Sequence, residues 1–367
     1  MVMPTTKRQH YVPRVYLKAW ETQVRTDEEP NKDISGVYVF NGQELIGHGK
    51  SKEKILWKPR LYTVGFDYCY MADRCPKIYS DFVDQIYNIM REKRDPPVYG
   101  KLGHSVIKTK SSIRKHILEV DQWDFFYDDG NAAKKKAIIN DIHAINSYVI
   151  EDGLDSCFES QWSHLLNSFI EEMQSDESGI EGRSERIIKT ETAQGVLAFF
   201  FMMLCRNPQF NGTGIYEWVR ELLTSAFGAQ DNSKDSVDSF IDGLWYTELY
   251  RMLYKVRGGH FHTFMEIGCK KLQMVLFRAN DGAGSFITSD NPAFQYCSIP
   301  ERQNMNGYIF PLSPQWLLFI CNGDLDINIV DMRYADHSTV SYFNRAIFRN
   351  RIEMSISNSK SLSRQLN

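Results

Sequence analysis

The chain has 367 residues, of which 43% are hydrophobic and 13% aromatic, so it is long and apolar enough to bury a large core. Its formal net charge of −3 gives no bulk attraction to polyanions such as nucleic acid. Seven scattered cysteines without a Cys-x-x-Cys pair argue against a zinc finger and a disulfide scaffold. An odd number of unpaired cysteines is typical of a reducing compartment, so the sequence predicts a cytoplasmic protein. It shows no apolar run long enough to span a bilayer, so no membrane partner is expected.

The sequence lacks the signatures of three common enzyme classes. The chain contains no P-loop, no dinucleotide-binding glycine pattern and no Gly-x-Ser-x-Gly elbow. ATPase, dehydrogenase and α/β-hydrolase functions are therefore disfavoured.

The charges are distributed unevenly along the chain. Residues 1–25 carry five basic and one acidic side chain, and residues 333–367 carry six basic and two acidic side chains. Residues 119–192 carry 17 acidic and six basic side chains. If the two ends meet, they form a basic face suited to phosphate groups or nucleic acid. Equally, the opposite charges could simply hold the ends against the middle.

The N-terminal segment is unusual because it combines basic groups with a strongly apolar series. Tyr11–Trp20 contains enough large apolar side chains to predict a docked segment, where termini are ordinarily frayed. His10 lies between Arg8 and Arg14, which makes it a candidate for anion binding and proton transfer. The alternative interpretation is a buried N-terminal helix that begins with a histidine.

The middle of the chain has helical periodicity between two regions that favour strands. Val37–Phe40 followed by Asn41-Gly42 predicts a strand and a tight turn, with Leu45-Ile46 as the pairing segment. The periodicity is helical from about residue 134 to 255, and Thr190–Cys205 is apolar nearly all round, which predicts a buried central helix.

Strands and a further helix are predicted after Gly258-Gly259. Leu272–Phe277 and Ser285–Ser289 flank a glycine-rich turn and predict a hairpin, and Tyr308–Leu312 and Trp316–Cys321 predict two more strands. Val340–Phe348 predicts the final helix. The expected fold is α+β, with a helical middle and a small, mainly antiparallel sheet from the C-terminal part. We expect the N-terminal segment to dock beside that sheet.

Three consecutive regions describe this organisation. Residues 1–110 hold the N-terminal motif with small strands and a helix, residues 111–257 are helical, and residues 258–367 hold the sheet and the last helix. We expect the three to form one compact unit.

Four short segments combine polar side chains with a proline beside an apolar run. Proline fixes the direction in which the backbone leaves the run, so the polar groups can face a cleft. The segments are Gln9-His10-Tyr11-Val12-Pro13, Arg206-Asn207-Pro208, Thr288-Ser289-Asp290-Asn291-Pro292 and Pro311-Leu312-Ser313-Pro314.

These motifs resemble domain of unknown function 4238, a largely bacterial and phage-associated family. The resemblance rests on the Gln-His-Tyr-Val-Pro, Ser-Asp-Asn-Pro and Pro-Leu-Ser-Pro motifs in the same order and extends over roughly residues 7 to 350. Trp20 departs from the phenylalanine common in that family. The resemblance implies a layout and carries no reaction.

The leading functional hypothesis is hydrolysis of a phosphodiester by a bacterial effector of anti-phage defence or a toxin. His10 would act as general acid or base, and Asp290 would orient it or hold a Mg²⁺ or Mn²⁺ ion. Arg14 and Arg206 would hold phosphate oxygens. The substrate would be RNA or DNA, with RNA favoured.

Further side chains of the same motifs would contact the substrate. Asn291 and Ser313 would donate hydrogen bonds to it, and Tyr11 would line the same pocket. A structural alternative is that Ser-Asp-Asn-Pro is a capped hairpin exit and that Arg206 pairs with Asp290 to pin the helix to the sheet.

Two further hypotheses stand beside hydrolysis. The protein could be a non-catalytic module that binds a ligand or partner, or a subunit of a defence assembly or a homo-oligomer. Separately, His260 and His262 are predicted on one face of a strand, which can hold a metal ion, although a third ligand with convincing spacing is missing.

Overall fold

The computed structural model describes residues 8–59, 61–62, 76–175, 184–210, 214–227, 231–296 and 306–366. The helices, in chain order, are α1 (Arg14–Leu17), α2 (Pro76–Tyr87), α3 (Lys110–His116), α4 (Lys135–Leu154), α5 (Ser160–Gln174), α6 (Thr190–Arg206), α7 (Gly214–Phe227), α8 (Asp231–Leu253), α9 (His260–Lys271), α10 (His337–Asn350) and α11 (Ser363–Leu366). Within these ranges no helix is both long and apolar enough to span a membrane.

The strands are mostly short. In chain order they are β1 (Arg8–His10), β2 (Thr22–Val24), β3 (Ile34–Asn41), β4 (His48–Lys50), β5 (Trp57–Pro59), β6 (Val98–Leu102), β7 (Ser105–Ile107), β8 (Asp124–Tyr127), β9 (Glu185–Ile187), β10 (Leu272–Ala279), β11 (Thr288–Ser289), β12 (Phe294–Tyr296), β13 (Gly307–Ser313), β14 (Trp316–Asn322), β15 (Ile329–Ala335) and β16 (Met354–Ser357). Helices and mainly antiparallel small sheets confirm the predicted α+β fold.

The chain divides into two compact units, each built from three stretches of sequence. Unit 1 comprises Met1–Gln9, Lys58–Asp155 and Pro208–His260, and unit 2 comprises His10–Trp57, Ser156–Asn207 and Phe261–Asn367. Unit 1 holds the antiparallel sheet β7-β6-β8 together with α2, α3, α4, α7 and α8. Every residue proposed from the sequence as part of a catalytic or substrate-binding site falls in unit 2.

Unit 2 is built on two sheets. The larger has the strand order β12-β13-β14-β10-β15-β9, and in it β10 pairs antiparallel with β14 and parallel with β15. The smaller has the order β11-β16-β3-β2, with β4 also paired to β3. The antiparallel β13–β14 pair confirms the two strands predicted around Ser313-Pro314.

Helix α10 covers one face of the larger sheet. Asp336 caps its first turn by accepting a hydrogen bond from the Thr339 amide (2.8 Å), which satisfies a backbone donor that the helix leaves unpaired. Val340, Phe343 and Ile347 recur at helical spacing and lie in the same core cluster as Phe277 and Phe319 of the sheet. The helix predicted over Val340–Phe348 is confirmed, and the short helix α11 follows it.

Helix α6 is the buried helix predicted from Thr190–Cys205. Its apolar side chains are buried around nearly the whole circumference, so the surrounding elements must cover all of its faces. Phe199 stacks on Trp162 of α5 with ring centroids 3.7 Å apart and 11° between the ring planes. This stacking packs the middle of α6 against α5, and the helix ends at the buried Arg206.

Three local predictions are wrong. Ser285–Ser289 does not pair with β10, because β14 and β15 already occupy both edges of that strand, and β11 pairs with β16 instead. Leu45-Ile46 is not the partner of β3: both side chains are exposed, so no burial favours that register, and β4 pairs with β3. His260 and His262 lie in helix α9, not on a strand.

Candidate functional site

The N-terminal segment is docked against two of the other motifs, as predicted. Tyr16 Oη donates a hydrogen bond to the carbonyl of Pro311 (2.7 Å) and lies 2.8 Å from Thr288 Oγ1. Trp20 Nε1 donates to the carbonyl of Phe286 (3.0 Å). Tyr16 and Trp20 are fully buried, so each polar atom needs such a partner. The segment is therefore tied to β11 and β13.

Arg206, the last residue of α6, links the first two motifs. It is buried, Nη1 donates to the carboxylate of Glu159, and Nη2 donates to the backbone carbonyl of His10. The pairing of Arg206 with Asp290 considered from the sequence is wrong: the carboxylate that faces the guanidinium belongs to Glu159, at the start of α5. Arg206 thus joins α5, α6 and the N-terminal segment.

The next residue, Asn207, reaches the Ser-Asp-Asn-Pro motif. Its Nδ2 donates to Asn291 Oδ1 (2.9 Å) and to the backbone carbonyl of Asp290 (3.4 Å). Asn291 Nδ2 in turn donates to the carbonyl of Asn350 at the end of α10 (3.0 Å). The two asparagine side chains therefore form a relay from the end of α6 to the end of α10.

Asp290 is completely buried and accepts hydrogen bonds from three consecutive backbone amides. Oδ1 accepts from Ile352 (2.8 Å), and Oδ2 accepts from Glu353 (2.6 Å) and Met354 (3.1 Å). Burial raises the pKa of the Asp290 carboxyl, and the three amides act in the opposite direction by stabilising the carboxylate. The carboxylate therefore holds the turn between α10 and β16.

His10 is half-buried, and its ring lies close enough to the backbone of Glu53 for that backbone to raise its pKa. Burial, together with the positive charges of Arg14 and Arg206, lowers the pKa of His10 to about 4. The imidazole is consequently neutral at neutral pH. Arg14, in the first turn of α1, is exposed.

The remaining predicted contacts lie in different surroundings. Tyr11 is buried, its amide donates to the carbonyl of Leu56 (3.0 Å), and burial raises the pKa of its hydroxyl. Ser313 Oγ accepts a hydrogen bond from the Gln315 amide (3.2 Å) in the turn between β13 and β14. Ser313 lines a groove of about 500 Å³ together with Trp162.

The structure thus connects four of the predicted residues, His10, Arg206, Asp290 and Asn291, through a series of hydrogen bonds made by the adjacent residues Arg206 and Asn207. We call this series the motif junction. Among the described residues, no group of three or more His, Cys, Asp and Glu side chains could hold a metal ion.

A second concave feature of unit 2 was not singled out from the sequence. It is a groove of about 550 Å³, which we call the arginine groove, lined by Arg345, Arg349 and Arg351 together with Gly42 of the β3–β4 turn and Glu353. Arg345 and Arg349 are four residues apart on α10, so they lie on the same face of the helix. Arg351 follows the end of that helix.

The arginine groove carries a net positive charge. Arg345 donates to the carbonyl of Leu366 (2.9 Å), and Arg351 donates to the carbonyls of Phe348 and Gly42, all of which are neutral acceptors. Burial lowers the pKa of Arg351, and the charge of Asp290 acts in the opposite direction. Within the described part of the chain, none of the three arginines forms a salt bridge with a carboxylate. The sequence signal was present in the basic C-terminal stretch and the four-residue spacing of two arginines.

Taken together, these features define an α+β protein with a buried junction of sequence motifs and a basic groove at the end of α10. The family model described as "Protein of unknown function (DUF4238)" matches residues 8–361, nearly the whole chain, and the chain belongs to this family. The resemblance seen in the motifs is confirmed. We found no match among curated proteins or among solved structures.

Proposed function

We propose that this protein binds a phosphate-bearing ligand, a nucleotide or a nucleic acid, in the arginine groove. The observation that carries the proposal is the set of three guanidinium groups that line one concavity, where Glu353 supplies the one carboxylate among the described lining residues. Guanidinium groups favour phosphate because their planar N–H donors match two phosphate oxygens at once.

The hydrogen bonds already made in the groove leave donors for a ligand. A guanidinium carries five N–H donors, and the contacts described for Arg345 and Arg351 use one and two of them. Arg349 is exposed. The groove therefore offers partly oriented and partly adaptable cations, which suits recognition of a polyanion.

The motif junction supports binding over catalysis. Both terminal nitrogens of Arg206 donate to protein oxygens, and both carboxylate oxygens of Asp290 accept from backbone amides. Polar groups that already bond to protein atoms stabilise the structure, and they have few donors or acceptors left to contact a substrate. This favours the non-catalytic ligand-binding alternative.

Fluorescence anisotropy with a labelled single-stranded RNA, the matching DNA and their duplex tests the proposal directly. We expect saturable binding of at least one probe and a roughly 10-fold weaker affinity for Arg349→Gln, because one charge-assisted contact is lost. Competition by ATP and by inorganic pyrophosphate distinguishes a nucleotide ligand from a nucleic acid.

The matched control is Arg25→Gln, which removes the same charge from an exposed arginine elsewhere in unit 2. It should bind like the wild type. Equal weakening in Arg25→Gln and Arg349→Gln would mean that general charge, not the groove, attracts the probe, and would overturn the proposal. Absence of binding to all probes would do the same.

Phosphodiester hydrolysis is the second candidate. It is favoured by one observation, the neutral imidazole of His10 beside the exposed Arg14, since a neutral imidazole can accept a proton. Incubation with total RNA, tRNA and plasmid DNA in Mg²⁺, Mn²⁺ or EDTA should then show cleavage that His10→Gln abolishes. Equal products from wild type and variant would reject a role of His10.

The biological setting remains part of the proposal. A ligand-binding module with a large helical part suits a bacterial effector of anti-phage defence or a toxin, acting with a protein partner or as a homo-oligomer. Viability of cells that express the protein, with and without phage infection, is the test of that setting.

A further inference from the structure

The Ser-Asp-Asn-Pro motif holds the backbone on both sides of one residue. Asn291 Nδ2 donates to the carbonyl of Asn350, and the Asp290 carboxylate accepts from the amides of Ile352, Glu353 and Met354. The residue between these two attachments is Arg351. Its backbone is therefore fixed from both directions by a motif that lies about 60 residues earlier in the chain.

The side chain of Arg351 is itself held in one direction. Its guanidinium lies over the Phe348 ring, 3.6 Å from the ring centroid, and donates to the carbonyls of Phe348 and Gly42. These contacts extend the side chain along the arginine groove, whose lining includes all three residues. Ordering a long side chain costs conformational entropy. Because the backbone of Arg351 is already fixed, less of that entropy is lost when a ligand binds.

The Asp290 carboxylate accepts hydrogen bonds from two backbone amides that lie before the start of strand β16. Strand β16 begins at Met354, so the amides of Ile352 and Glu353 precede its ladder. The buried Asp290 carboxylate supplies the acceptors for them. A carboxylate in this position is a stronger acceptor than a neutral amide would be, since charge-assisted hydrogen bonds are roughly twice as strong.

We infer that Asp290 and Asn291 are positioning residues for phosphate binding: they hold the turn after α10 so that Arg351 is oriented in the arginine groove before a ligand arrives. This inference rests on the proposed function of the groove. It gives the Ser-Asp-Asn-Pro motif a role in ligand recognition that is separate from the catalytic role considered for Asp290.

A double-mutant cycle with Asp290→Asn, Arg351→Gln and the double variant tests the coupling, using the labelled RNA as the probe. Asp290→Asn should weaken binding roughly 5- to 10-fold in the wild-type background and have almost no further effect in the Arg351→Gln background. Equal effects in both backgrounds would show that Asp290 does not act through Arg351 and would overturn the inference.

The control is Asp336→Asn. Asp336 also accepts a backbone amide hydrogen bond, at the opposite end of the same helix, and should leave RNA affinity unchanged. If Asp290→Asn fails to fold, Asn291→Ala replaces it in the cycle, because it removes the attachment to Asn350 on the other side of Arg351.

A measurement without ligand separates this inference from the proposed function. Phenylglyoxal modification followed by peptide mass spectrometry gives the reactivity of Arg351 and Arg349 in one sample. Asp290→Asn should raise the reactivity of Arg351 several-fold and leave that of Arg349 unchanged. Unchanged reactivity at Arg351, or an equal rise at Arg351 and Arg349, would overturn the positioning role even where RNA binding is confirmed. Because the reaction needs no RNA, the measurement is equally informative if the RNA does not bind.

Discussion

Asp290 and His10 show how far individual side chains could be interpreted from the sequence. The residue types and the flanking prolines singled out Asp290, Arg206 and His10, and hydrogen bonds link the segments that hold them. The partners of Asp290 could not be predicted, because the amides of Ile352–Met354 reach it through the register of β11 against β16. A sequence pattern carries no information about that register when neither strand shows a hairpin connection.

His10 should make the stability of the protein depend on pH. The pKa of His10 in the folded protein is about 4, below the ordinary value of 6.5, so the unfolded chain binds a proton first as the pH falls. The folded state should therefore lose stability between about pH 6.5 and 4, by about 2 to 3 kcal/mol, and His10→Gln should lack this loss. Urea denaturation from pH 7 to pH 4.5 measures it.

The appropriate control is His48→Gln, because His48 is an exposed histidine of the same unit. It should keep the wild-type pH dependence. If His10→Gln and the wild type lose stability in parallel below pH 6.5, burial of His10 is not the cause of the acid sensitivity.

At the scale of elements, periodicity predicted the helices and strands better than it predicted how they pair. Helix α6, helix α10 and the β13–β14 pair were predicted because each shows its own local pattern. Strand β10 was predicted to pair with the next segment, Ser285–Ser289. Its two observed neighbours, β14 and β15, lie farther along the chain. The choice between a local hairpin and distant strands depends on the assembled sheet.

The ion pair at the end of α6 should be important for the stability of unit 2. Arg206→Met leaves the Glu159 carboxylate, which is 19% exposed, without its buried partner, and we expect a loss of about 3 kcal/mol. The double variant with Glu159→Gln should recover part of this loss, because the uncompensated charge is gone. Chemical denaturation of the wild type, the two single variants and the double variant measures the coupling.

Arg220→Met provides the comparison, because Arg220 pairs with Asp238 at a more exposed position. It should cost at most about 1 kcal/mol. Similar losses for Arg206→Met and Arg220→Met would contradict a special role for the buried pair.

At the scale of the whole molecule, net charge and local charge have opposite signs. The chain carries −3 overall, whereas the described residues that line the arginine groove carry three guanidinium groups and one carboxylate. Bulk charge therefore excluded a general polyanion binder without excluding a local site. The sequence indicated the basic C-terminal stretch, but a groove requires the β3–β4 turn to lie beside α10, which no pattern predicts.

Binding of single-stranded RNA should consequently show a moderate dependence on salt. Neutralisation of phosphates by three arginines predicts a slope of about −2 for log affinity against log salt concentration, or roughly a 20-fold loss between 50 and 200 mM salt. Anisotropy titrations over that range measure the slope. A value near zero would argue against phosphate contacts, and a much steeper one would require a surface beyond the groove.

The hydrogen bond between Tyr16 and Pro311 spans 295 residues of the chain. At a translation rate of about 5 to 20 residues per second, the ribosome needs roughly 15 to 60 s to make the second partner after the first. During that interval Tyr16 and Trp20, both fully buried in the finished protein, lack the partners that β11, β13 and Phe286 supply. The nascent chain is thus an expected client of chaperones that shield apolar segments as they leave the ribosome.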